Sequence, residues 1–137
     1  MDALNFKLRS DIKIGLGILE NFTNEISSLN ISKPLILCDE NLLSSDYFIN
    51  LKPSFDDFSK DGLFYVLSLK GEPSYELLSG LMEKIDLDIF DGVVSIGGGS
   101  TMDVGKGLAL LANNRCQPKK LKGFPVGLNN PLPHITI

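Results

Sequence analysis

Ten consecutive residues carry most of the chemistry open to this sequence: Gly97-Gly98-Gly99-Ser100-Thr101-Met102-Asp103-Val104-Gly105-Lys106. Three adjacent glycines let a backbone turn sharply and bring peptide N–H groups against a ligand with no Cβ in the way. The run follows the apolar stretch Val93-Val94-Ser95-Ile96 and precedes a helical stripe of Val104, Leu108 and Leu111, with Ala109 and Ala112 beside it. It therefore joins a strand to the start of a helix. The first N–H groups of a helix have no intrahelical partner and stand at the positive end of its dipole, so a phosphate or pyrophosphate is the natural occupant. Spacing excludes two familiar cradles. A Walker A loop fails because Ser100 stands where its first glycine belongs and Gly107, not Ser or Thr, follows Lys106. A GxGxxG fingerprint fails because its last glycine would be Met102 counting from Gly97, or Glu20 counting from Gly15. Structural accounts stay open beside the chemical one: the glycines as a tight turn, Ser100 as an N-cap with Asp103 as its capping-box partner, Lys106 as a solvated lysine.

Other reactive residue types are sparse. The single histidine, His134, has no Cys, His or Asp cluster near it in sequence, so it reads as structural or exposed and cannot make a metal site alone. Cys38 and Cys116 are far apart without CxxC spacing and read as reduced, buried thiols. Gly105 and Gly107 lie within the helix, where each costs about 1 kcal/mol relative to alanine, so each needs a reason such as close packing on the sheet or on a ligand.

Strands and helices alternate along the chain, with Gly, Pro and Asp at the joints. Leu4–Leu8 and Ile12–Ile14 read as short strands, and Gly15-Leu16-Gly17, whose glycines suggest a tight backbone approach, turns the chain into a helix carrying Ile18, Phe22, Ile26 and Leu29. Leu35-Ile36-Leu37-Cys38, stopped by Asp39, fits a strand buried on both faces. A weak helix near Leu42–Leu51 and a loop at Pro53 lead to a further buried strand at Leu63–Leu69. Pro73-Ser74 opens a helix striped by Leu77, Leu78, Leu81 and Ile85, and Asp91-Gly92 hands the chain to Val93–Ile96. Apolar strands separated by helices predict an α/β fold with a mostly parallel sheet and right-handed crossovers. Its ligand crevice should lie beyond the carboxyl ends of the strands.

The 137 residues, 43% hydrophobic and 22% charged, fit one globular domain over 1–137. A net charge of −4 with no basic run longer than Lys119-Lys120 excludes a nucleic-acid or anionic-membrane footprint. No apolar run is long enough to span a bilayer, and the N-terminus lacks a signal-peptide pattern, which makes the cytoplasm the expected location.

The segment GGGSTMDVGK resembles the GGGSxxDxxK signature of the iron-containing alcohol dehydrogenases, relatives of glycerol dehydrogenase and dehydroquinate synthase. Gly15-Leu16-Gly17 is similar to that family's early GxG, and Leu37-Cys38-Asp39 to its strand ending in an adenosine-side Asp. Gly71-Glu72-Pro73-Ser74 resembles its PNPT-type segment, and Pro131–Ile137 its PLIAIPT strand. His134 takes an apolar position of that strand. The resemblance covers nearly all of residues 4–137 and implies a Rossmann-like, N-terminal nucleotide-binding domain of the dehydroquinate synthase-like fold.

It further implies a cofactor site in which Gly97, Gly98, Gly99 and Ser100 hold the pyrophosphate, Asp39 lies near the adenosine ribose, and Asp103 sits on the nicotinamide side with Lys106 nearby. A carboxylate at Asp39 accepts hydrogen bonds from the ribose hydroxyls and repels a 2′-phosphate, so NAD is preferred over NADP, even if Asp39 also caps the turn that follows. Full-length relatives would use Fe²⁺ or Zn²⁺, held by a helical C-terminal part through an Asp and three His, to oxidise an alcohol or reduce an aldehyde. That part lies outside these residues, so the chain alone is expected to supply no catalytic or metal-ligating residue, and the surface it would cover favours self-association. The region around Leu42–Asp61, with Pro53 and Asp56-Asp57, departs from the long helix the family pattern has there. A non-catalytic nucleotide-binding module and a dehydroquinate synthase-like lyase remain the alternatives, although Ser100 and the xxDxxK that follows favour the alcohol dehydrogenase branch.

Overall fold

The computed structural model describes residues 10–56, 60–123 and 127–137. Four strands, β1 (Pro34–Asp39), β2 (Leu63–Leu67), β3 (Gly92–Ile96) and β4 (His134–Thr136), form one sheet in the order β2-β1-β3-β4, every pair parallel. The α/β expectation is met. Helices α1 (Phe22–Ser28) and α2 (Asp46–Asp56) cover one face, and α3 (Tyr75–Lys84) and α4 (Gly99–Asn114) the other.

The period-two alternation of strand side chains divides the core in two. Ile36, Cys38, Val94 and Ile96 pack on Phe22, Ile26, Phe48, Leu51 and Phe55. Leu35, Leu37 and Val93 pack on Leu81, Ile85, Val104 and Leu108. Each fully buried Leu, Ile, Val or Phe contributes about 1.5–3 kcal/mol, and the edge-on pair Phe22–Phe55, with ring centroids 4.9 Å apart, adds to this. At the amino ends of β1 and β3, the Asp91 carboxylate accepts from Ser32 N (2.9 Å), Ser32 Oγ (2.6 Å) and Lys33 N (2.8 Å). Its partial burial works against ionisation, but these hydrogen bonds hold the carboxyl below its usual range.

Several local expectations are corrected. Ile12–Ile14 is unpaired and exposed rather than a strand, while Leu4–Leu8 lies outside the described residues, as does Asp57. Gly17, at φ 67°, begins a 3-10 turn over Ile18–Asn21, so the α-helix starts only at Phe22 and leaves Leu29 exposed as its C-cap. Neither Gly15 nor Gly17 meets another backbone; Gly17 makes a turn, not a close approach. Pro53 sits inside α2 instead of in a loop, because Leu51 and Phe55 on either side are buried and their packing outweighs proline's missing N–H. The strand predicted over 63–69 ends at Leu67 and lies at the sheet edge, with Leu63 and Val66 exposed.

The last strand is tied in from both ends. Ile137 N donates to Ser95 O at 2.8 Å, and Gly97 N donates to Ile137 O at 3.0 Å. Ahead of β4, Asn114 Nδ2 donates to Asn129 O, Asn129 N to Asn114 Oδ1 and Asn113 Nδ2 to Asn130 O, which clasps the incoming loop to the end of α4.

Candidate functional site

The carboxyl ends of β1 and β3 lie side by side, with Cys38 opposite Ile96 in the parallel register. The next residue on each strand is therefore Asp39 and Gly97. Gly97 has φ 154°, and a Cβ there would stand 2.8 Å from Thr101 Oγ1 and 3.0 Å from Asp39 Cβ, so glycine is required by both conformation and space. Gly98 and Gly99 differ: a Cβ at either would meet nothing within 4 Å. They border open space at the mouth of a helix 16 residues long.

Gly98 is the N-cap of α4 and, being glycine, has no side chain to cap it; among the described residues no other side chain caps it either. Ser100 lies one residue inside it, which corrects the capping-box account, and Asp103 pairs instead with Lys106 Nζ at 3.1 Å on the exposed surface. The first N–H groups of α4 thus have no side-chain cap at the positive end of the dipole, and open space borders them at Gly98 and Gly99, an arrangement that suits an anion.

Asp39 Oδ1 accepts from both Asn41 N and Asn41 Nδ2, each at 2.9 Å, so it does cap the 3-10 turn Glu40–Leu42 while standing next to Gly97. Beside it, Ser68 Oγ donates to Glu40 Oε1 at 2.5 Å, linking the ends of β1 and β2. Burial, with the Asp39 charge adding to it, pushes the Cys38 thiol up to about 11, so it is an inert core group. On the α3 side, Asp103 joins Glu72, Pro73, Ser74, Tyr75 and Glu76 around a cleft of about 440 Å³. Ser74 Oγ caps α3 by accepting from Leu77 N at 3.1 Å. Asp39 and the glycines thus share one rim, and Asp103, Lys106 and the 72–76 segment share the next.

The helical glycines have structural reasons. A Cβ on Gly105 would stand 1.9 Å from Ser95 Oγ and 2.6 Å from His134 Nε2, so this residue lets α4 lie flat on the sheet. A Cβ on Gly107 would come within 3.0 Å of Leu78 on α3. His134 and Ser95 hydrogen-bond across strands at 2.8 Å. Burial, with Lys106 nearby, lowers the His134 pKa to about 4, so the ring is neutral at physiological pH. The structural role expected for His134 is thus specific: it satisfies the one polar side chain within β3. Ser95, a lone hydroxyl in an apolar strand, signals in sequence that it needs a partner, but the partner's identity, 39 residues away, does not show. Asn41 and Thr101 also stand beside Asp39 and Gly97, and sequence reasoning missed both: Asn41 lies two residues from Asp39, the spacing of an Asx turn, whereas Thr101 carries no such signal.

A larger cleft, about 720 Å³, lies between the far ends of α3 and α4, lined by Met82, Asp86, Arg115 and Lys120 among others. It is separated from the glycine turn by the length of α4, about 24 Å, and holds none of the residues above. Among the described residues, no group of three His, Cys, Asp or Glu side chains could hold a metal ion, and no helix is long and apolar enough to cross a membrane.

The family model of the iron-containing alcohol dehydrogenases matches residues 10–137. Choline dehydrogenase of Bacillus subtilis is 27% identical over 111 residues, which is 80% of this chain and 27% of that protein. Among solved structures, NADH-dependent butanol dehydrogenase A of Thermotoga maritima superimposes with a TM-score of 0.82 at 19% identity, covering 99% of this chain and 34% of the other. Sulfoacetaldehyde reductase of Bifidobacterium kashiwanohense in complex with NAD⁺ gives 0.78 at 18% identity, covering 98% and 35%. An iron-containing alcohol dehydrogenase of Thermotoga maritima gives 0.79 at 24% identity, covering 98% and 37%. This chain spans about a third or less of the length of each.

Proposed function

The chain belongs to the iron-containing alcohol dehydrogenase family, and from that premise we propose that it is the dinucleotide-binding domain of an oxidoreductase that transfers hydride between an alcohol and NAD. The observation that carries the proposal is the contrast among the glycines. Gly97 is held by its neighbours, whereas Gly98 and Gly99 face open space beside uncapped N–H groups of α4. A Cβ at either position would stand in the open space where a pyrophosphate would approach the backbone.

Gly97 sets the turn, and Gly98, Gly99 and Ser100 receive the pyrophosphate on backbone N–H groups. Asp39 accepts from the ribose hydroxyls in exchange for Asn41. Asp103, oriented by Lys106, borders the nicotinamide side. When bound, the nicotinamide supplies the hydride acceptor or donor, while the protein orients it. An NAD⁺ complex and an NADH-dependent enzyme among the structural neighbours support this cofactor. The described residues do not fit the Fe²⁺ or Zn²⁺ site of the family, because no suitable cluster exists among them and His134 is engaged with Ser95. Polarisation of an alcohol or aldehyde oxygen would fall to residues beyond this domain. The chain by itself is expected to bind NAD without turning over an alcohol, in a cytoplasmic setting consistent with its free thiols.

The test is calorimetric titration of NAD⁺, NADH and NADPH into the unaltered chain, Gly99→Val and Asp39→Gly. We expect Gly99→Val to lose dinucleotide binding while melting within a few degrees of the unaltered chain. Asp39→Gly should narrow the NADH/NADPH ratio by admitting NADPH. Unchanged affinity in folded Gly99→Val refutes the cradle.

A further inference from the structure

We propose that Thr101 is a positioning residue for Asp39, its hydroxyl turning the carboxylate toward the ribose when a dinucleotide is bound; this rests on the cofactor reading above. Among the described residues, Thr101 Oγ1 is the buried side-chain oxygen without a hydrogen-bond partner, and Thr101 has no exposed surface. A hydroxyl left unpaired in a core is costly and calls for an explanation in a native fold. Its surroundings supply an acceptor. Thr101 Oγ1 and Asp39 Cβ, from α4 and β1, both lie within 3.0 Å of the point where Gly97 would carry a Cβ. No side chain separates them, because residue 97 is glycine.

Asp39 has a matching deficit. Both hydrogen bonds it accepts fall on Oδ1, from Asn41 N and Asn41 Nδ2. Among the described residues, no donor reaches its second oxygen, Oδ2. Rotation about the Asp39 side-chain bonds brings that oxygen to the Thr101 side of Gly97. Without ligand, Asn41 holds the carboxylate in its capping orientation. With ribose hydroxyls donating to the carboxylate, Asn41 is displaced, and Thr101 Oγ–H donates to Oδ2 and fixes the new orientation. The fully buried hydroxyl never touches the cofactor; it acts through Asp39, as supporting groups do in pre-organised sites.

The experiment is a set of NADH titrations on the full chain, by calorimetry or quenching, with thermal melts in parallel. Thr101→Val keeps the shape and removes the donor. It should weaken NADH binding about tenfold, the scale of one hydrogen bond to a charged group, while the melting midpoint stays or rises. Thr101→Ser should restore affinity. With Asp39→Ala already present, Thr101→Val should change affinity less than twofold. A purely structural threonine would instead lower midpoint and affinity together, whatever stands at 39. The proposal is overturned if Thr101→Val binds NADH like the unaltered chain, or if its loss persists undiminished in the Asp39→Ala background. Thr101→Ala, read by the same criteria, decides the matter should Val disturb the turn. If the unaltered chain binds no dinucleotide, the cofactor reading falls and this one with it; if it binds and Thr101→Val makes no difference, only this one falls.

Discussion

Replacing Gly105 with alanine tests whether α4 is seated by the absence of one carbon. Inside a helix, that substitution would ordinarily stabilise by about 1 kcal/mol. Here the new Cβ would stand 1.9 Å from Ser95 Oγ and 2.6 Å from His134 Nε2, both well inside contact distance. To relieve both contacts, α4 must lift by about 1 Å or more along its buried face and the Ser95 hydroxyl must swing away from His134. Overpacking costs about 1–3 kcal/mol, and a broken hydrogen bond that leaves buried polar groups unpaired costs about 1–3 kcal/mol more. Set against the helix gain, the expected net loss is about 1–5 kcal/mol, read as a lower urea midpoint at constant m-value. Gly80→Ala in α3 is the internal control, since a Cβ there meets nothing within 4 Å, and it should stabilise by about 0.5–1 kcal/mol. Ser95→Ala removes the oxygen at the closest contact, so the Ser95→Ala/Gly105→Ala pair should be at least about 1 kcal/mol more stable than additivity gives. A Gly105→Ala midpoint equal to or above that of the unaltered chain would refute the reasoning, as would strict additivity in the double variant.

Three further outcomes are expected. His134 has a folded pKa of about 4 against an ordinary 6.5, so the unfolded chain takes up a proton first as pH falls. Stability should therefore decline from about pH 6.5 to pH 4 and level off below, by on the order of 2–3 kcal/mol, and His134→Asn should flatten that part of a stability-versus-pH curve. Asp91→Ala removes the acceptor for three hydrogen bonds from Ser32 and Lys33 and should cost about 2–3 kcal/mol in urea unfolding near neutral pH; because the Asp91 pKa is lowered, the difference should shrink as acid protonates the carboxylate. Pro53→Ala, which restores an N–H inside α2, should raise the thermal midpoint; a lower midpoint would mean that the ring itself is needed for packing.

The sequence is most legible where one force acts alone. Leu35 to Cys38 are apolar throughout, and Val93 to Ile96 are apolar but for Ser95, because both faces are covered, and their burial follows. The glycine turn is legible because a triple glycine between strand and helix has few other uses. Misreadings occur where two forces compete. Pro53 opposes a helix locally, yet Phe48, Leu51 and Phe55 bury one face of it against the sheet. Ser100 is a good N-cap by type, but the turn at Gly97 starts the helix earlier, with Gly98 as the N-cap and Gly99 as the first helical residue. Thr101 and the Ser95–His134 pair are least visible, because their roles come from packing between elements distant in sequence, which no local pattern states.

The sheet order β2-β1-β3-β4 also bears on how the chain folds and opens. β1 pairs with both β2 and β3, and its ladder to β3 joins Pro34 to Gly92 across all of α2, β2 and α3. Closing so long a loop costs entropy that a well-buried ladder offsets, so β1 and β3 are expected to pair in the folding nucleus, with three-residue β4 docking afterwards. The same asymmetry runs in reverse during native-state fluctuation. When β4 peels off the edge, it takes with it the carbonyl of Ile137 that receives Gly97 N–H, so the amide at the root of the glycine turn exchanges with solvent at the local cost of losing a short edge strand, while the β1 amides wait for global unfolding.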